Sequence, residues 1–111
     1  MKKLVLVVAG LVFSTSSFAA SFNCDKAATF VEKAICNNEE IGKLDDELGA
    51  NFKAMKNSDI GKGSIKDLIS TQKKWLSVRN KCTNDQFLID SYSKRIEAIC
   101  EYPVISGVHP C

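Results

Sequence analysis

Five cysteines, one histidine and a few closely spaced charges are the side chains of this 111-residue chain whose types and spacing bear on chemistry. The cysteines stand at Cys24, Cys36, Cys82, Cys100 and Cys111. A zinc site draws on cysteine and histidine ligands in short-spaced pairs. Here no CxxC pair exists and His109 stands alone, so the cysteines read as a disulfide framework rather than a metal set. Five is an odd number, so at least one thiol is free or pairs between molecules. A hydrolase needs a nucleophile beside a base, or two carboxylates at a working distance. His109 lies in a tail containing proline and glycine, which a helical scaffold holds poorly. Asp45, Asp46 and Glu47 are consecutive, point to different faces of a helix and read as a solvated run. The expectation is a protein that is not an enzyme, with no catalytic residue, no metal and no cofactor.

Two pairs of larger side chains invite a binding role. Trp75 and Arg79 are four apart and share a helix face. One reading packs Trp75 in the core, with Arg79 spanning its edge to a carboxylate such as Asp45. The other puts both on a contact surface, where tryptophan and arginine are enriched. Tyr92 and Arg95 pose the same choice, and the structural reading is preferred for both pairs. Lys62, in an exposed turn, and the cysteine-terminated tail are the two segments free to insert into a partner.

Helices must position these groups. Thr29 with Glu32 fits a capping box opening a short helix to about Cys36, with Phe30, Val31, Ala34 and Ile35 on its apolar side. Asn37-Asn38-Glu39-Glu40 breaks it and starts a second, striped by Ile41, Leu44, Leu48, Phe52 and Met55. Asn57 to Gly63 reads as a turn. A third helix is expected from Ser64 to near Cys82 with Ile65, Leu68, Ile69, Trp75 and Leu76 on its stripe. Thr83 and Gln86 make a second capping-box candidate before a fourth, which presents Phe87, Leu88, Tyr92, Ile96 and Ile99. From Pro103 the chain reads as an extended strap. The fold class is all-α: a small, disulfide-stapled bundle of three to four helices with an extended C-terminal tail. In a hairpin of the second and third helices, Cys36 and Cys82 fall at neighbouring ends and are expected partners. Cys24 and Cys100 would meet at the opposite end, leaving Cys111 spare or in either one's place.

The N-terminus sets the compartment. Lys2 and Lys3 precede an apolar run, Leu4 to Phe13, and Ser17-Phe18-Ala19 offers small residues for cleavage. That is a secretory signal peptide over 1–19, cut after Ala19 or its neighbour Ala20. Its apolar run is about half of the roughly 20 residues that span a bilayer. Cys24 follows Phe22-Asn23 rather than small residues, so no lipid or membrane anchor is expected. Removing the two leader lysines from 15 Lys and Arg leaves a balance with 13 Asp and Glu. A balanced surface predicts neither nucleic-acid binding nor strong electrostatic steering. The expected organisation is a helical domain over 20–102 and a tail over 103–111, in a periplasmic or secreted bacterial protein.

Several segments together resemble a known family. Phe22-Asn23-Cys24-Asp25-Lys26-Ala27, Val31-Glu32-Lys33-Ala34-Ile35-Cys36 and Leu44-Asp45-Asp46-Glu47-Leu48 come first. Trp75-Leu76-Ser77-Val78-Arg79-Asn80-Lys81-Cys82 and Tyr92-Ser93-Lys94-Arg95-Ile96 follow in order. The series, from Phe22 to Ile96, resembles the LprI family, also described as the lysozyme-inhibitor LprI N-terminal domain. The resemblance implies a protein-binding domain in the bacterial envelope that blocks lysozyme or a similar muramidase sterically. Family members often carry another cysteine where this chain has Phe87, which implies that Cys100 or Cys111 supplies the missing partner. An immunity protein against a delivered toxin, and a structural or stress-related envelope protein, are the alternatives.

Overall fold

The computed structural model describes residues 23–111, so the expected signal peptide lies outside the described residues. A 3-10 turn, Cys24–Lys26, precedes four helices: α1 (Phe30–Asn37), α2 (Glu39–Lys56), α3 (Lys62–Arg79) and α4 (Asp85–Cys100). No strand occurs among the described residues. The protein is all-α and stapled by disulfides.

The helix starts follow from side chains that satisfy orphan backbone amides. Thr29 Oγ1 accepts from the Glu32 amide at 3.1 Å, and Glu32 Oε1 accepts from the amides of Thr29 (3.2 Å) and Ala28 (2.8 Å). Those backbone donors hold the Glu32 carboxyl below its ordinary value. Asn38 ends α1 and caps α2, its Oδ1 accepting from Glu40 at 3.0 Å and Ile41 at 3.3 Å. Glu39 and Glu40 sit in the first turn of α2, with Lys53 and Lys56 in its last, each sign matched to the helix dipole.

Two expected starts are displaced. α3 begins at Lys62 rather than near Ser64, because Gly61, at φ 87°, turns the chain and its carbonyl accepts from Ile65. No side chain caps it. α4 uses Asn84, whose Oδ1 accepts from Phe87 at 2.8 Å, while Gln86 donates along the helix to Asp90 instead of closing a box with Thr83. Asparagine caps at least as well as threonine, and one residue of shift costs nothing. α3 also stops at Arg79; Asn80 to Cys82 form a turn on the last carbonyls.

α4 is the central helix. It packs along α2 on one side and against α3 on the other, while α1 folds onto α2. α3 thus rests mainly on α4, not in a hairpin along α2. The reason lies in its thin stripe: Leu68 is its one fully buried apolar side chain, with Ile65 and Trp75 half-buried. The shared core joins Val31, Ile35, Ile41, Leu48, Met55, Leu68, Leu88, Tyr92 and Ile99. Burying each large aliphatic side chain here contributes about 1.5–3 kcal/mol.

The bridges differ from the expected pairing. Cys24 bonds Cys36, and Cys100 bonds Cys111, with Cα atoms 5.9 and 5.6 Å apart. Cys82 is unpaired and buried, its Sγ turned towards the Val78 carbonyl at 3.9 Å, and burial pushes its thiol up. Cys36 therefore reaches back, not forward to Cys82. The 3-10 turn, fixed by Asn23 Oδ1 accepting from Asp25 at 2.9 Å, sets Cys24 against the end of α1. At the other end the chain loops back and returns Cys111 to Cys100. Cys24 consequently never meets Cys100, and neither Cys100 nor Cys111, which pair with each other, is the partner of Cys82.

Candidate functional site

Trp75, Arg79, Tyr92 and Asp45 form one cluster between α2, α3 and α4. The Tyr92 hydroxyl donates to Asp45 Oδ1 at 2.7 Å and accepts from Arg79 at 3.3 Å. Arg79 lies 3.8 Å from Asp45, mostly shielded from water, and its guanidinium carbon stands 5.9 Å over the Trp75 ring. Trp75 meets Tyr92 edge-on at 5.0 Å and donates to the carbonyl and hydroxyl of Ser91 at 3.2 and 3.0 Å. Burial, reinforced by the Asp45 carboxylate, pushes the Tyr92 phenol well above its ordinary value. Asp45 is buried although its neighbours Asp46 and Glu47 are exposed, so the acidic run is only partly a solvated face.

Arg95 makes a second interior contact set. Its Nε donates to Gln72 Oε1 at 2.8 Å, and one terminal nitrogen donates to the Leu68 carbonyl (3.2 Å) and Thr71 Oγ1 (3.1 Å). Burial lowers its pKa, yet a guanidinium stays charged. It ties α4 to α3 from inside. These four sequence candidates all make contacts between helices: Tyr92 and Arg95 are buried and Trp75 and Arg79 half-buried.

Two of the surfaces left open among the described residues adjoin the sequence candidates. Between α3 and α4 runs a groove of about 470 Å³ flanked by Trp75, Val78, Phe87 and Lys94. Val78 and Phe87 are about half exposed there, at 50% and 48%. Phe87 does not join the apolar stripe expected for α4, since its neighbour Leu88 takes the core position. That adjacency is itself a sequence signal, because consecutive helical residues cannot face the same way.

The second surface is the loop closed by Cys100–Cys111. Val104 is buried in the core, and the Ile105 amide donates to the Asp59 carbonyl at 2.7 Å. The Gly107 amide donates to the Val104 carbonyl at 2.9 Å in a turn whose glycine has φ 81°. Tyr102 donates to Asp67 Oδ2 on α3 at 2.6 Å. The tail is therefore pinned against the turn after α2. That turn leads into Lys62, the exposed first residue of α3, so the two segments expected to be free for insertion adjoin. Ile105 and Val108 point outward, 72% and 75% exposed. Sequence reasoning passed over both, though aliphatic residues in a loop between two cysteines are a readable anomaly.

Among the described residues no cluster of three His, Cys, Asp or Glu side chains could hold a metal ion. No described helix is long and apolar enough to cross a membrane. The profile of the family described as Lysozyme inhibitor LprI matches residues 24–104. This chain belongs to the LprI family. The LprI match takes in the first bridge, all four helices and the buried contacts of Arg79 and Arg95, and stops at the anchor residue Val104. Ile105 to Cys111 lie beyond it. No curated protein and no solved structure matches the chain.

Proposed function

We propose that this protein is an exported inhibitor of lysozyme or a related cell-wall muramidase, acting by steric blockade without chemistry of its own. The observation that carries this reading is the match to the lysozyme-inhibitor family over residues 24–104. Two disulfides support a periplasmic or secreted location, because such bridges persist in oxidising compartments. The interior contacts support the mechanism. A blocking protein must present a surface that resists deformation, since ordering side chains and loops on binding subtracts from affinity. Here buried and part-buried hydrogen bonds from Trp75, Tyr92 and Arg95 and a bridge at each end hold the scaffold.

Titrating the oxidised mature protein against an animal lysozyme, with suspended bacterial cell walls as substrate, tests the proposal. Saturable inhibition near equal molar amounts is the expected result. Full lysis in the presence of a large excess would overturn it.

A further inference from the structure

We propose that the outward face of α3 is a peripheral docking surface for an anionic lipid bilayer, with Val78 and Phe87 at its edge entering the headgroup region. α3 carries Lys62, Lys66, Lys73, Lys74 and Arg79 against one acid, Asp67. In a mature chain whose charges balance, this segregates positive charge onto one element, and net charge conceals it. Arg79 is turned inward to Asp45, and Asp67 accepts from the Tyr102 hydroxyl. The four lysines stay on the surface. At about 100° per residue they fall within one sector of about 120°, which Ser70 and Ser77 complete. All six side chains are exposed. Among the described residues none of the four lysines pairs with a carboxylate. Over the 18 residues of α3 the sector is a basic stripe about 27 Å long.

Its edge decides what kind of anion it fits. Lys74 and Val78 are four apart, so an apolar patch begins where the basic sector ends. Val78 and Phe87 are each about half exposed and line the same groove, which Lys94 also lines. Asp90, the acid lining that groove, accepts from Gln86 on its own helix. A soluble polyanion would draw on the lysines and offer no apolar medium to Val78 and Phe87. A bilayer with anionic headgroups supplies both, charge at its surface and hydrocarbon just beneath. Each lysine near such a surface strengthens binding about fivefold, and salt screens the attraction. The contact is reversible rather than an anchor, since no described helix is long and apolar enough to cross a membrane. It does not depend on inhibition of a muramidase; the proposed export brings this face to a bilayer.

The test is co-sedimentation of the oxidised mature protein with vesicles of phosphatidylcholine alone or mixed with phosphatidylglycerol. Each variant is first checked for unchanged helical circular dichroism and Tm. The parent is expected to bind the mixed vesicles only, and less tightly as salt is added. Lys66→Gln with Lys73→Gln and Lys74→Gln keeps good helix formers, and is expected to weaken binding about a hundredfold. Lys43→Gln with Lys53→Gln and Lys56→Gln removes the same charge from α2, and is expected to stay close to the parent. Val78→Ser with Phe87→Ser keeps every lysine, and is expected to weaken vesicle binding about fivefold or more without changing binding to dextran sulfate, a soluble polyanion. A parent that ignores the mixed vesicles overturns the proposal, as does an equal loss in the α2 variant. Parent-like vesicle binding by the Val78/Phe87 variant overturns it in favour of a surface for soluble polyanions.

Discussion

At Tyr92 a single hydroxyl serves both an acid and a base, donating to Asp45 and accepting from Arg79. Its phenol is held neutral in the fold by burial and by the neighbouring carboxylate. The unfolded chain releases that proton near the ordinary value of 10, whereas the folded chain retains it. Above that pH the unfolded state binds fewer protons, so stability falls as pH rises. Burial also raises the Tyr102 phenol, where it donates to Asp67. Alkaline titration should therefore develop the Tyr92 share of the tyrosinate absorbance together with loss of helical signal, not ahead of it. Tyr92→Phe should cost about 1–3 kcal/mol at neutral pH, because Asp45 and Arg79 each lose a partner in a shielded site. Titration of both tyrosines in a fully helical protein would show that Tyr92 is not so enclosed. The Arg79–Asp45 contact was legible in the sequence, because Trp75 and Arg79 share a face and Arg79 needs an acid beyond it. The burial of Asp45 beside the exposed Asp46 was not, since a run of acids carries no mark of which one faces inward.

At the scale of the helix, the caps set both the register and a response to acid. Thr29→Ala removes the acceptor for the Glu32 amide and should cost about 1 kcal/mol, lowering Tm by about 4–8 °C in a domain of this size. Glu32 works in the opposite pH range from Tyr92. Its folded pKa is depressed by the Ala28 and Thr29 amides, so its contribution is fully present above the ordinary value of 4.5. It fades as pH falls through the lower folded value. Thermal unfolding of Glu32→Gln should show a smaller loss of Tm between neutral and acidic pH than the parent. An identical slope in both proteins would exclude the capping box as a source of acid sensitivity. The α1 cap was readable because threonine and glutamate stand at box spacing with no better neighbour. The α4 cap was misplaced by one residue because Asn84 competes with Thr83, and the α3 start because a glycine turn leaves no side-chain signature.

Across the whole molecule, helix order and most of the apolar stripes followed from periodicity and capping residues, Phe30 and Phe87 excepted, whereas the bridge map did not. A hairpin of α2 and α3 placed Cys36 beside Cys82 on paper. In the molecule α4 takes the central position, and each bond closes a short local loop, with sequence separations of 12 and 11. Loop closure of that length favours neighbours, but only the fold decides which neighbour is left out. Cys82 is the one left out, buried with a raised thiol pKa. Native protein should resist alkylation and denatured protein should take up one label per chain, at the peptide containing Cys82. Rapid labelling in the folded state, or a label at Cys111, would refute the pairing.

The position of that thiol in the order of synthesis has a consequence for how the protein matures. On the proposed export into an oxidising compartment, a chain entering N-terminus first would expose Cys24 and then Cys36, so oxidation in order of arrival would make the native first bond. The third thiol to arrive is Cys82, and the fourth is Cys100. The same rule would join those two and strand Cys111. Native pairing thus requires either that α4 cover Cys82 before oxidation or that a shuffling catalyst correct the error. Cells lacking a disulfide isomerase should accumulate a Cys82–Cys100 species, and Cys82→Ala should restore the yield by taking the wrong partner out of the queue.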